Sequence, residues 1–109
     1  MEIKLIVPPE SPELKAEIMR LRNSMAGPGV KWDPLAVWYG NKIPKYLWSY
    51  WKDELKKHDF TWQSFLKLLR HRTDGAVLWF HNKLDWNTYV TQTIELVTGP
   101  FGKHISETA

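Results

Sequence analysis

"DFTWQSFLKLLRHRTDG", residues 59–75, decides the fold. Thr61 is a hydroxyl N-cap standing directly before Trp62, Phe65, Leu66 and Leu69, an apolar stripe at helical spacing. Gly75 reads as the nearby stop. A second stretch, "LDWNTYVTQTIELVTG" (residues 84–99), repeats the grammar. Asp85 is its cap, Trp86, Tyr89, Val90, Ile94 and Val97 its stripe, and Gly99 with Pro100 its end. The offset from Thr61 to Asp85 is 24 positions and occurs once, too little for a repeat architecture. The echo is therefore read as two helices that start and stop by the same rules.

The same reading extends outward. Between the two stretches, Thr73 or Asp74 can cap a short helix carrying Val77, Leu78, Trp79 and Phe80. Upstream, Pro44 opens a helix with Leu47, Trp48, Trp51 and Leu55 on one face, while Lys45, Lys52, Lys56 and Lys57 point away. Tyr46 and Tyr50 widen its apolar arc, which predicts more than one packing partner. Ser11-Pro12 is a further helix start, followed by Leu14, Ile18, Leu21 and Met25, and stopped at Gly27-Pro28. Residues 27–44 carry three Gly and three Pro, so an irregular connection is expected, with one helical turn from Asp33-Pro34 to Gly40. Ile3, Leu5 and Val7 alternate with their neighbours as in a strand or an extended arm, which Pro8 and Pro9 end.

The fold class is mainly α: a single small helical domain of four to five helices with an N-terminal strand or extended arm. Residues 1–10 are the arm, 11–100 the helical domain, and 101–109 a tail expected to fray. A chain of 109 residues with seven Trp and four Phe has the apolar area for one modest core.

No nucleophile elbow, phosphate-binding glycine loop or helical pair of histidines is present, and there is no Cys. The four histidines, at 58, 71, 81 and 104, read as surface and helix-end residues. A non-enzymatic protein without metal or cofactor is the expectation. The apolar run at the N-terminus is too short for a membrane span, so a cytoplasmic location is expected.

Two surfaces remain as candidates. Trp32, Trp38, Tyr39, Tyr46, Tyr50 and Trp51 are candidate anchors for a protein partner, because interfaces are rich in Trp and Tyr. The arm would be free to add to a neighbour's sheet or to a second copy of the chain. The net charge of +3 and pI near 9.2 permit the alternative of a nucleic-acid-binding module. Its phosphate contacts would be Lys56, Lys57, Lys67, Arg70 and Arg72 on a basic helical face.

The segment "FTWQSFLKLLRH", followed by Ala76 and "DWNTYVTQTIELV", resembles small proteins encoded near the tail genes of long-tailed bacteriophages and prophages. The resemblance spans about residues 60–97 and rests on Thr61, Trp62, Leu68, Leu69, Arg70 and Trp86. It implies a tail-assembly or structural role, as a chaperone-like protein that binds tail or virion components, located in the host cytoplasm or the virion. The N-terminal arm and the basic charge depart from that pattern.

Overall fold

The computed structural model describes residues 3–26 and 41–108. The helices are α1 (Pro12–Ala26), α2 (Lys42–Lys56), α3 (Trp62–Leu69), α4 (Thr73–Phe80), α5 (Trp86–Thr98) and α6 (Pro100–Thr108). A 3-10 turn, Arg70–Arg72, joins α3 to α4, so the six helices form five continuous stretches. The chain is mainly α. Among the described residues there is no strand, and the segment before α1 runs as an extended arm. The expected turn at residues 33–40, with Trp32, Trp38 and Tyr39, lies outside the described residues.

The helix starts have the chemistry that the sequence suggests. The Ser11 hydroxyl accepts the Leu14 amide at 3.1 Å, and Pro12 sits first in α1, where a missing N–H costs nothing. The Thr61 side chain accepts the Ser64 amide while the Thr61 amide donates to the Ser64 hydroxyl, closing a reciprocal cap on α3. Asp85 caps α5 through the Thr88 amide at 3.0 Å. The start of α2 differs: it begins at Lys42, and Pro44 lies within its first turn, where the amides have no helical acceptor anyway.

The short helix α4 also starts differently from expectation. Leu69 and Arg70 keep helical angles, and the chain leaves them only at Arg72, with φ −117° and ψ 23°. No extended residue precedes Thr73, so its hydroxyl donates back to the Arg70 carbonyl instead of capping.

Gly75 is no terminator. It lies inside α4, buried, with the Tyr89 ring on the space a Cβ would occupy. The stops are instead made by Asp59 and Asn82, both left-handed, at φ 68° and 60°. At each, the residue after the turn reaches back five positions: the Phe60 amide to Leu55 O and the Lys83 amide to Leu78 O. Asp and Asn tolerate that conformation better than other side chains.

The tail is helical rather than frayed. Pro100 opens α6 after the single residue Gly99, the Phe101 ring meets His71 edge-on at 4.9 Å, and Gly102 is buried against α5. Gly99 is extended there (φ −85°, ψ 179°), which any residue can adopt.

The core draws on every helix from α1 to α5. Leu14 and Ile18 meet Ile43, Leu47, Trp51 and Leu55 of α2, Phe65, Leu68 and Leu69 of α3, Ala76, Trp79 and Phe80 of α4, and Trp86, Tyr89, Val90 and Val97 of α5. Each fully buried large apolar side chain contributes roughly 1.5–3 kcal/mol over exposure. Trp48 and Trp62 flank Phe65 at 5.2 and 6.4 Å, closing the α2–α3 side. Among the described residues every tryptophan is buried or half-buried.

Candidate functional site

The arm, residues 3–11, runs across α2, α4 and α5 without secondary structure of its own. Pro8 and Pro9 have no amide to give, and an extended segment outside a sheet leaves its carbonyls unpaired. Those carbonyls are met by aromatic donors. Trp51 Nε1 donates to the Ile6 carbonyl at 2.7 Å, Trp86 Nε1 to the Pro8 carbonyl at 2.6 Å, and the Tyr46 hydroxyl to the Pro9 carbonyl. Trp79 Nε1 donates to the Glu10 carboxylate at 2.9 Å. Lys15 lies 4.8 Å over the Trp79 ring and 3.8 Å from Glu10, so the arm's last acidic group is held from two sides.

The donors are themselves fixed by packing. Trp79 and Trp86 rings are 4.8 Å apart, Trp86 meets Tyr46 at 6.0 Å, and Tyr46 meets Tyr50 edge-on at 5.3 Å. Pro8 is buried among the body's side chains, and Ile3 and Leu5 are half-buried against the core. Burial, and then the neighbouring Tyr50, push the Tyr46 phenol up to about 12, which keeps it a neutral donor to Pro9.

The near end of the arm is tied by charge. The Lys4 amide donates to a Glu54 carboxylate oxygen at 3.2 Å, and His58 and Lys57 stand 3.5 and 3.9 Å from the same carboxylate. The Lys4 bond, ahead of Lys57 and His58, holds the Glu54 carboxyl below the ordinary 4.5. A depressed carboxyl gives its stabilisation in full above that ordinary value and loses it as the pH falls through the lowered one. The arm is therefore expected to loosen below about pH 4.5. Titrating the Trp51 indole N–H resonance from pH 7 to 3 checks this; Glu54→Gln should remove the transition at that residue.

The predicted anchors divide. Tyr50 is 45% exposed, and Tyr46 is half-buried and engaged with the arm. Trp51 is corrected: it is 1% exposed, because it lies on the same stripe as Ile43, Leu47 and Leu55 and its one polar atom is used by the arm. The arm itself is seated, not free to extend a neighbour's sheet. Its outer side chains are another matter. Ile6 is 62% and Val7 37% exposed on the arm, and Tyr50 is exposed on α2, the helix that the arm crosses at Trp51.

The basic face is thinner than its sequence suggests. Lys56, Lys67 and Arg70 are exposed, while Lys57 stands beside Glu54. Arg72 is corrected too: it is half-buried, bonded to Gln92 at 2.7 Å and paired with Asp74 at 3.5 Å, so it links α4 to α5. Beside it, the Tyr89 phenol is fully buried and its pKa pushed up by that burial.

Trp79 and Trp86 are the site residues that stripe reasoning missed. Their helical spacing puts both on core faces and says nothing of where the indole N–H of each goes. The signal was present in Pro8-Pro9, a segment whose carbonyls need donors in a chain rich in the one apolar side chain that carries an N–H. Among the described residues no three His, Asp or Glu side chains could hold a metal ion, and no helix is long and apolar enough to cross a membrane. Compared with known proteins, the chain matches no family model, no curated protein and no solved structure.

Proposed function

We propose that this chain is a non-enzymatic protein-docking module that presents the apolar rim of Ile6, Val7 and Tyr50 to a protein partner. The observation that carries the reading is that these three side chains stay exposed on a surface whose aromatic neighbours are all engaged. Isolated exposed aliphatics need no explanation, but Ile6 and Val7 are consecutive on an arm whose carbonyls are pinned, and exposed side chains held in place are preorganised for contact. Rigid aromatic and aliphatic anchors lose little conformational freedom on docking.

The resemblance to phage-tail assembly proteins supplies the finer reading: the partner is a tail or virion component, and the module acts during assembly. Co-expression with a segment of the tape-measure protein, the tail component that such assembly chaperones bind, followed by size-exclusion chromatography with light scattering, tests it. The expected result is a stoichiometric complex that Ile6→Asp/Tyr50→Glu abolishes while helicity is kept. A complex indifferent to both substitutions would remove the rim from the mechanism. A co-eluting 260 nm component that vanishes in high salt would move the assignment to Lys56, Lys67 and Arg70.

A further inference from the structure

The contacts under the arm have the chemistry of peptide recognition. Three of its carbonyls, Ile6, Pro8 and Pro9, accept from aromatic donors on two helices of the body. Such bonds read main chain, so they do not depend on the side chains of the segment that lies there. Selectivity comes from Pro8, which is buried, from the half-buried Leu5, and from Glu10 between Trp79 and Lys15. Aromatic-lined grooves that hold extended proline-bearing segments exploit the low entropy of that conformation. The other side chains of the arm contribute little burial: Lys4, Ile6, Val7 and Pro9 are exposed. Lifting the arm would expose the indole N–H groups of Trp51 and Trp86 to water rather than leave them orphaned.

We propose that the seat formed by Tyr46, Trp51, Trp79 and Trp86 is a binding site for extended peptides of the pattern Leu-x-x-Pro-Pro-Glu. Residues 3–10 fill it in cis, and a proline-bearing segment of another protein takes it in trans. The proposal does not rest on the exposed rim: Tyr50→Glu should leave peptide binding intact.

Two measurements on the full-length chain test it. In the wild type, the indole N–H groups of Trp51 and Trp86 should exchange with solvent together, at least about tenfold faster than the slowest helical amides of α2 and α5, as expected of a local opening. In Leu5→Asp/Pro8→Asp, which ejects the cis arm, a fluorescein-labelled peptide of residues 3–11 should bind saturably. The same peptide with both prolines replaced by Ala should not. The wild type should bind the first peptide at least about tenfold more weakly, because its own arm competes at millimolar effective concentration. Indole exchange only through global unfolding would overturn the proposal. So would a variant that keeps its helicity and ignores the peptide, or one that fails to fold, since the arm would then be part of the core. A wild-type dimer with its arms exchanged would assign the seat to a second copy and exclude a foreign peptide.

Discussion

Trp51→Ala is expected to lower stability by about 3–5 kcal/mol, the range for emptying a fully buried large aromatic. Two losses combine at this one residue. The ring meets Phe65 edge-on at 6.0 Å and lies between the α2 stripe and α3, so its removal leaves a cavity at the helix junction. Its Nε1 also holds the Ile6 carbonyl, so the arm loses a donor at the same time. A domain of this size has only about 5–15 kcal/mol in total, so the midpoint of thermal unfolding should fall by more than about 10 °C. Trp51→Phe separates the contributions. It keeps most of the ring and loses the hydrogen bond, so a cost nearer about 1–2 kcal/mol is expected. Urea denaturation of the three proteins measures both. Equal losses in the two variants would mean that the hydrogen bond, and not the packed ring, dominates.

Gly102→Ala should destabilise the chain although alanine is the better helix former. In an open helix that exchange gains about 1 kcal/mol. Here a Cβ would fall on the carbonyl of Val97 and 2.7 Å from that of Leu96, both backbone atoms that no side-chain rotation can clear. The last helix must then lift off α5, and the contact of Phe101 with His71 goes with it. The net loss expected is about 1–3 kcal/mol, the usual cost of overpacking. Thermal unfolding, with the His71 ring proton shifts as a local probe, checks it. An unchanged midpoint would show that α6 contributes nothing to the fold.

Three helix starts, those of α1, α3 and α5, were legible in the sequence because each is decided by a few adjacent residues. Ser11, Thr61 and Asp85 cap as their side-chain chemistry demands, and the stripes behind them face the core. Stops were less legible where the left-handed position is filled by Asp59 or Asn82, because those residues are also at home in ordinary turns. Gly75 misled for a related reason: glycine marks either a stop or a close approach, and only the position of Tyr89 on α5 decides which. The tail was misread because Gly99-Pro100 ends one helix and starts the next with the same two residues.

The site was harder to read than the fold. Trp51 and Tyr50 are neighbours in sequence with similar surface chemistry, yet one is core and the other is exposed. Trp51 shares the stripe of Leu47 and Leu55, but the wide aromatic arc of α2 also offers it as a surface anchor, and only the helices packed on that arc decide between the two. The pairing of Trp86 with Pro8 spans 78 residues, a distance across which no local pattern carries information. Arg72 looks like part of a cationic cluster because one of its two partners, Gln92, is twenty positions away, and the nearby Asp74 does not by itself reveal the burial.

The separation between Pro8 and Trp86 also has a meaning in time. The arm is synthesised before the helices that hold it, and its holder on α5 comes 78 residues after Pro8. At the usual pace of translation that is an interval of roughly 4 to 16 seconds. Through it, the Pro8 carbonyl has no donor in its own molecule, and the carbonyl donors of the seat are those of α2 alone. A segment made ahead of its holders is thus fixed after them, and a nascent chain offers its arm to its surroundings before it can keep it for itself.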